Sequence, residues 1–586
     1  MVLKKLGDFF RSVACLVVDQ LPLFLMLVVF MTVPSFFSGL PYFKAFGLNV
    51  IPQAILPALI LCWLASLHRC VWWLIFTIAN FAFMIELGCL FCQQWRFNST
   101  FASLILQTDT GETLEFIQMY YIPIIEAVLS SIVIGLLVGI GNFYWQRKSA
   151  SLFVIRRFRE LPMTSGLIGI IIVASVVYSP MQMMDAIKKH EARWTRVGNI
   201  MFVASTPVAY YYAFMDIFNN SDMRDFEQLA KVSESLTVDT LGVKNSLNVV
   251  YVVGESFPRS KSSLFGYYKE TNPNMANELA DSLLILFDNV ISHANHTFEV
   301  YPTMLSTNEI YAPIPYVNYP LLPTIFKKSG FTVGYYDNQS LLKESTKFDY
   351  SCTYFFSNRA ICKCSIDLLN DRRYKLDGEL VEENPPLTDF ARSLTIYHLM
   401  GQHSPASQRY PSSFSGYTDT DYDGIGYKDF QTQIVAEYDN ATLYNDFVLK
   451  QIIDPLRDKV AIMVYSPDHG EEIYDSRDHF GRDVAVTIET ARVFCEVPVW
   501  IWVSDKFKEL YPEQVDALRR NVHKALYNGD LPHTIIDIAG IKTDAFRPEL
   551  SLLNDSPGRT DRVIEGNLEY DANRDKINSY KMRYEK

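Results

Sequence analysis

Three apolar runs beyond Lys244 of this 586-residue chain are each followed at once by residues able to bind a metal. After Leu247 to Val253 stands Gly254-Glu255-Ser256. After Leu394 to Leu399 stands Gly401-Gln402-His403-Ser404-Pro405, and after Val460 to Tyr465 stands Ser466-Pro467-Asp468-His469-Gly470-Glu471. A single carboxylate or imidazole in such a place is ordinarily a turn residue or a helix cap; three strand ends doing the same point to one shared site. Glutamate, aspartate and histidine form a hard-to-borderline donor set that suits zinc and, less well, manganese, and adjacent Asp-His offers two ligands from one turn. A nucleophile is supplied by Ser292-His293-Ala294-Asn295-His296-Thr297, which puts a hydroxyl where a helix should begin. Coordinated to a dication at a helix N-terminus, such a hydroxyl has a lowered pKa. On local pattern alone, Thr297 reads as a plain N-cap.

The elements that must position these residues follow from the same runs. From about Lys244, short β-rich runs (Leu247 to Val253, Phe331 to Tyr336, Leu394 to Leu399, Val460 to Tyr465) alternate with helical stretches. That predicts an α/β domain with a mainly parallel central sheet sandwiched by helices, and in such sheets ligands gather at the carboxyl ends of strands. The first third is different in kind. Five segments have the length and apolarity of membrane spans: about Ser12 to Val33, Val50 to Leu67, Val71 to Phe91, Ile122 to Tyr144 and Ser165 to Met181. Lys4, Lys5 and Arg11, then His68 and Arg69, then Arg147, Lys148, Arg156, Arg157 and Arg159 fall on one side of a five-span bundle, which makes that side cytoplasmic and delivers the rest of the chain outside. The expected plan is a five-helix membrane anchor over 1–182 with an interfacial outer loop near 95–121, an amphipathic linker over 183–243 that includes Tyr210, Tyr211 and Tyr212, and an external catalytic domain over 244–586. Glu86 and Glu126 sit inside spans and are expected to reach the interface from helix ends.

Composition excludes one class of partner. A net charge of −12, with no concentrated basic surface in the soluble part, rules against nucleic acid. Four cysteines lie in that part, Cys352, Cys362, Cys364 and Cys495. In an exported domain one or two disulfides are expected, with Cys352 pairing locally to Cys362 or Cys364, while the CxC is a poor metal site for want of neighbouring ligands.

The ordered set of motifs resembles the phosphoethanolamine transferases of the alkaline phosphatase and sulfatase superfamily. The residues concerned are V-V-G-E-S at Val252 to Ser256, L-F-G-Y at Leu264 to Tyr267, T-N-P at Thr271 to Pro273, H-x-x-x-T at His293 to Thr297 and D-N-Q-S at Asp337 to Ser340. They continue with M-G-Q-H-S-P at Met400 to Pro405, Y-D-N at Tyr438 to Asn440 with Asp446 beyond, and S-P-D-H-G-E-E at Ser466 to Glu472; Q-T-D-T-G-E at Gln107 to Glu112 adds a match in the outer loop. The resemblance implies an alkaline-phosphatase-like domain behind a five-span anchor in a bacterial inner membrane, with the catalytic domain in the periplasm. It implies zinc held by Glu255, Thr297, Asp468 and His469, Thr297 as nucleophile, and His403, His479, Asn338 and Glu112 at the substrate. It also implies phosphatidylethanolamine as donor and lipopolysaccharide as acceptor, at core sugar or lipid A, in a monomer; the form S-P-D-H-G-E-E and the few cysteines of the soluble part lean toward core sugar. A sulfatase proper would need C/S-x-P-x-R where this chain has His296-Thr297-Phe298-Glu299-Val300-Tyr301-Pro302. A phosphoglycerol transferase of the lipoteichoic-acid-synthase type and an inactive scaffold are the remaining alternatives.

Overall fold

The structure, a computed structural model, describes residues 2–38, 50–93, 110–148, 225–339, 355–483 and 485–585, with a few isolated positions between 97 and 210. The chain divides into two compact units, Met1–Asn219 and Asn220–Lys586.

In the first unit the helices Val50–Leu67, Arg69–Gln93 and Thr110–Lys148 follow a broken pair, Val2–Asp19 and Leu21–Ser38. Among the described residues three stretches are long and apolar enough to cross a membrane, Val50–Leu67, Arg69–Cys92 and Tyr120–Arg147, and the broken pair makes a fourth if it counts as one span. The first expected span was continuous from Ser12 to Val33; in the structure its two halves bend by 86° around Gln20. The cause is Pro22, which has no N–H to donate to the carbonyl of Val18. The indole N–H of Trp145 donates to that carbonyl instead, at 2.8 Å.

Ala54, Ala58, Cys62 and Ala65 recur at helical spacing and are all but inaccessible, so neighbouring helices close on a seam of small side chains. Beside it Phe30 stacks on Phe83 with ring centroids 3.9 Å apart. Glu86 is fully buried and accepts from the backbone N–H of Phe97 at 3.1 Å, so it is an internal cap and does not reach outward; Glu126 is exposed. The fifth expected span, Ser165 to Met181, lies almost wholly outside the described residues, as do most of the 95–121 loop, most of the tyrosine segment and Cys352.

The second unit is built on β1 (Leu247–Gly254), β2 (Leu284–Phe287), β3 (Val290–Ile291), β4 (Thr332–Asp337), β5 (Leu368–Leu369), β6 (Arg392–His398), β7 (Ala461–Pro467), β8 (Glu472–Ile473), β9 (Phe480–Gly481) and β10 (Val499–Val503). Seven of these form one sheet in the order β2-β10-β7-β1-β6-β4-β5. The expected mainly parallel sheet is a mixed one: β1, β4, β5, β6 and β7 pair in parallel, while β10 runs antiparallel to both β7 and β2.

Every residue of β1 is buried, as a central parallel strand with both faces covered requires. Alternate residues serve opposite layers. Val249, Tyr251 and Val253 join the core that includes Val300, Tyr301, Met304, Ile325 and Ile535, whereas Val250 and Val252 face the core formed with Tyr444, Val448 and Ile452 of the helix Asp429–Ile453. The unit begins before the expected boundary, since the helix Phe226–Ser235, within the stretch read as linker, buries Leu229 in the first of these cores.

Candidate metal and transfer site

Sheet register alone brings the three ligand-bearing ends together. Gly254 pairs with Pro467 across β1 and β7, and Val253 pairs with His398 across β1 and β6, so Glu255, Asp468-His469 and the 399–403 loop leave the same edge at the same level. The turn is tight. Ser256 has φ +54° and Gly401 has φ +49°, and a Cβ on Gly401 would stand 3.0 Å from the Glu255 nitrogen, so only glycine lets the two loops approach.

Glu255, Asp468 and His469 are fully buried, and one ligand atom from each lies within 4.8 Å of the others. His469 Nε2 is 3.1 Å from Asp468 Oδ2 and 3.5 Å from Glu255 Oε1. Thr297 opens the helix Thr297–Met304, and its Oγ1 lies 3.2 Å from both Glu255 Oε2 and His469 Nε2. The group completes a four-residue set of one hydroxyl, two carboxylates and one imidazole.

The arrangement fits a dication. His469 Nδ1 faces the Gly470 carbonyl at 3.1 Å, which fixes the proton on that nitrogen and leaves the Nε2 lone pair directed at the two carboxylates. Asp468 Oδ2 is buried with no hydrogen-bond partner among the described residues. Acceptors converging on acceptors at this depth call for a positive charge.

Outer contacts hold the ligands. Ser256 donates to Glu255 Oε1 at 2.7 Å and Gln339 donates to Glu255 Oε2 at 3.0 Å. The Asn528 amide donates to the Asp468 carbonyl at 2.7 Å, and Tyr438 donates to the Ser256 carbonyl at 2.6 Å. The Y-D-N segment and Asp446 thus serve the scaffold: Asp446 takes the backbone N–H groups of Asn274 and Met275 at the start of the helix Pro273–Ala280.

The expected substrate residues separate. His403 is half-buried, its Nδ1 2.9 Å from the Ser404 carbonyl, within electrostatic reach of Glu255; burial, with Arg409 and Arg482, pushes its imidazole down to about 4. His479 stands 3.6 Å from Asp483, and burial together with Arg477 also pushes it down to about 4. Asn338 does not face the site as expected: its amide donates to Asp377 at 2.8 Å and its carbonyl oxygen accepts from the Tyr374 N–H at 2.7 Å. Asp377 in turn accepts from the Met400 and Gly401 N–H groups, so Asn338 supports the loop that carries His403. The adjacent Gln339 is the one that touches a ligand. Glu112 falls in the helix Thr110–Lys148 of the other unit. Cys362, Cys364 and Cys495 are free thiols.

One residue absent from the expected set is present. Arg482 Nη1 lies 2.6 Å from His469 Nε2 and 2.9 Å from the Asn295 carbonyl.

A hydroxyl, two carboxylates and an imidazole converging at the carboxyl edge of a sheet enclosed by helices is an arrangement suited to metal-assisted group transfer. Residues 247–541 match the sulfatase family, and the chain belongs to it. Among its relatives, it is 28% identical over 327 residues to the phosphoethanolamine transferase EptC of Escherichia coli strain K12, covering 54% of this chain and 55% of that one. It is 23% identical over 393 residues to the Kdo(2)-lipid A phosphoethanolamine 7''-transferase of the same strain, covering 61% and 63%. The chain thus spans little more than half the length of these relatives. Among solved structures, the integral membrane lipooligosaccharide phosphoethanolamine transferase A of Neisseria meningitidis shares its fold, with a TM-score of 0.58 at 16% identity over 93% of this chain and 99% of that one.

Proposed function

We propose that the protein transfers phosphoethanolamine from phosphatidylethanolamine to lipopolysaccharide through a covalent intermediate on Thr297, acting as a monomer from a five-span anchor in the inner membrane with its catalytic unit in the periplasm. The observation that carries this reading is the placement of Thr297 Oγ1 at 3.2 Å from a carboxylate and an imidazole of the metal-binding cluster, at the start of a helix. The activities of the relatives named above support phosphoethanolamine as the transferred group.

Glu255, Thr297, Asp468 and His469 would hold zinc, which lowers the pKa of the hydroxyl and offsets charge on the phosphoryl oxygens. Thr297 Oγ1 donates to Glu255 Oε2, so an acceptor for its proton is at hand. The oxygen attacks phosphorus, the bond to the diacylglycerol oxygen breaks, and that oxygen takes up a proton as diacylglycerol leaves. A hydroxyl of the acceptor then attacks the same phosphorus, the Thr297 O–P bond breaks, and the threonine hydroxyl is restored. His403 orients phosphoryl oxygens from the loop that Asp377 fixes, and Gln339 keeps the Glu255 carboxylate turned toward Thr297. The N-terminal end of the helix Thr297–Met304 favours negative charge at the reacting oxygen.

The test is intact-mass analysis of the detergent-solubilised protein after incubation with phosphatidylethanolamine vesicles. A phosphoethanolamine adduct mapped to Thr297, absent from Thr297→Ala, is expected. A phosphoglycerol adduct from phosphatidylglycerol vesicles instead would assign the alternative donor, and no adduct from either would overturn the transfer mechanism. Mass analysis of lipopolysaccharide from cells with and without the gene locates the acceptor, with core sugar expected.

A further inference from the structure

The position of Arg482 goes beyond a scaffold contact. It stands one residue after β9, whose register with β8 sets Gly481 opposite Glu472, and Gly481 has φ +87°. The turn aims the arginine back across the strand-end loop at His469, the residue whose Nε2 lone pair faces the carboxylates. Its guanidinium meets that lone pair at 2.6 Å, the Asn295 carbonyl at 2.9 Å and Glu471 Oε1 at 3.8 Å. Asn295 lies two residues before Thr297, so the tether holds the guanidinium beside the nucleophile. Glu471 is held from the other side by the Ser404 hydroxyl at 3.1 Å, which links it to the loop of His403.

An imidazole nitrogen has one lone pair. When it binds a cation it cannot also accept from a guanidinium, and two positive charges at this separation repel. The tethers to Asn295 and Glu471 do not depend on His469, so they keep Arg482 at the wall of the site with its remaining N–H donors unassigned among the described residues. A planar fork of N–H groups matches two phosphoryl oxygens.

Resting on the transfer reading above, we propose that Arg482 is a substrate-binding catalytic residue: in the ion-loaded enzyme it exchanges its contact with His469 for the non-bridging oxygens of the phosphoryl group carried to and from Thr297. It supplies a protein-borne positive charge on the side of the site bounded by Asn295. The Glu471 carboxylate keeps that charge oriented, so Glu471 is a positioning residue.

The experiment uses the full-length, zinc-loaded protein in detergent and compares wild type with Arg482→Ala and Arg482→Lys. Three quantities are measured: the rate of adduct formation on Thr297 from phosphatidylethanolamine vesicles, the Kd of inorganic phosphate by calorimetry, and zinc per chain by elemental analysis. Loss of one preorganised donor to a developing oxyanion slows chemistry about 100-fold or more. Arg482→Ala should slow adduct formation by about that factor and weaken phosphate binding at least about tenfold, with zinc content unchanged. Arg482→Lys should fall between, since it keeps the charge without the fork. Adduct formation and phosphate affinity within about twofold of wild type in either variant would overturn the proposal. So would loss of zinc in Arg482→Ala, which would make the arginine a support for the ligand set. If Arg482→Ala does not fold, Arg482→Lys decides on the same measurements. A wild-type protein that forms no adduct counts against the transfer reading itself, and phosphate affinity across the variants still tests Arg482.

Discussion

The two units use the same apolar residue types in opposite senses. In the sheet, Val250, Val252, Met463 and Trp500 are sealed between layers. In the helix Thr110–Lys148, Leu129, Ile132, Leu136, Leu137 and Ile140 are each about half exposed or more, while its buried contacts are few and small. The sheet gains stability by withdrawing apolar area from water, whereas the helical unit must find its cohesion in close contact along the Ala54, Ala58, Cys62 and Ala65 seam, because hydrocarbon around it is as apolar as leucine. Polar groups divide in the same way. The second unit draws the buried ligand atoms of Glu255, Asp468 and His469 to within 4.8 Å of one another, an arrangement that suits a cation, whereas in the helical unit Glu86 accepts from the Phe97 N–H and the Val18 carbonyl accepts from Trp145.

The contrast can be broken at its strongest point first. Thr297→Ala should abolish adduct formation and lower transfer by at least about 1,000-fold, worth about 4 kcal/mol of barrier, while the protein retains its fold; residual turnover near wild type, measured with the vesicle assay, would move the nucleophile elsewhere. Next in size is a paired truncation. Ile462→Ala, in the sealed strand β7, should lower unfolding free energy by about 2–5 kcal/mol, and Leu136→Ala, on the outward helix face, by less than about 0.5 kcal/mol in lipid nanodiscs. Equal losses would mean that the outward face is packed against protein.

Acidity tests the catalytic unit alone. Burial pushes the Asp446 carboxyl up to about 6, against the hydrogen bonds from Asn274 and Met275 that favour its ionised form. A carboxyl that binds its proton more tightly when folded stabilises the fold below its unfolded range, and that stability is lost as pH rises through the folded value. Between about pH 4 and 6 this group should remove about 3 kcal/mol, so the unfolding free energy of Asp446→Asn should gain on wild type by that amount across the window. The buried Trp500 and Trp502 provide the fluorescence readout. The smallest effect concerns the helical unit: Trp145→Phe removes the donor to Val18 and should cost about 1 kcal/mol of thermal stability.

The sheet was legible because its strands are buried on both faces and read as unbroken apolar runs, and the candidate ligands were legible because they stand immediately after them. Glu255, Asp468 and His469 needed no more than that. Thr297 could be told from an ordinary cap only through the wider motif set. Asn338 and Gln339 were beyond local reading, since which of two successive residues faces the site depends on how the pleat of β4 ends. Arg482 was hidden because its aim is set by a two-residue strand pair and a left-handed glycine, neither of which has a hydropathy signature. The reversed strand β10 is as apolar as its neighbours, and direction leaves no trace in composition. At Gln20 the decisive residue, Pro22, was in view, but apolar length counts side chains and ignores the backbone donor that proline lacks.

The parallel pairing of β1 has a consequence for how the chain matures. Its partners β6 and β7 are encoded far downstream, so when β1 is synthesised neither strand that will flank it exists. The eight buried residues of β1 must wait, without a strand partner, until most of the second unit has followed. Closure of such distant segments is slow and leaves strand edges open in the meantime. Glu255 cannot meet Asp468 before that closure, so the buried cluster of Glu255, Asp468 and His469 is assembled only at the end of folding.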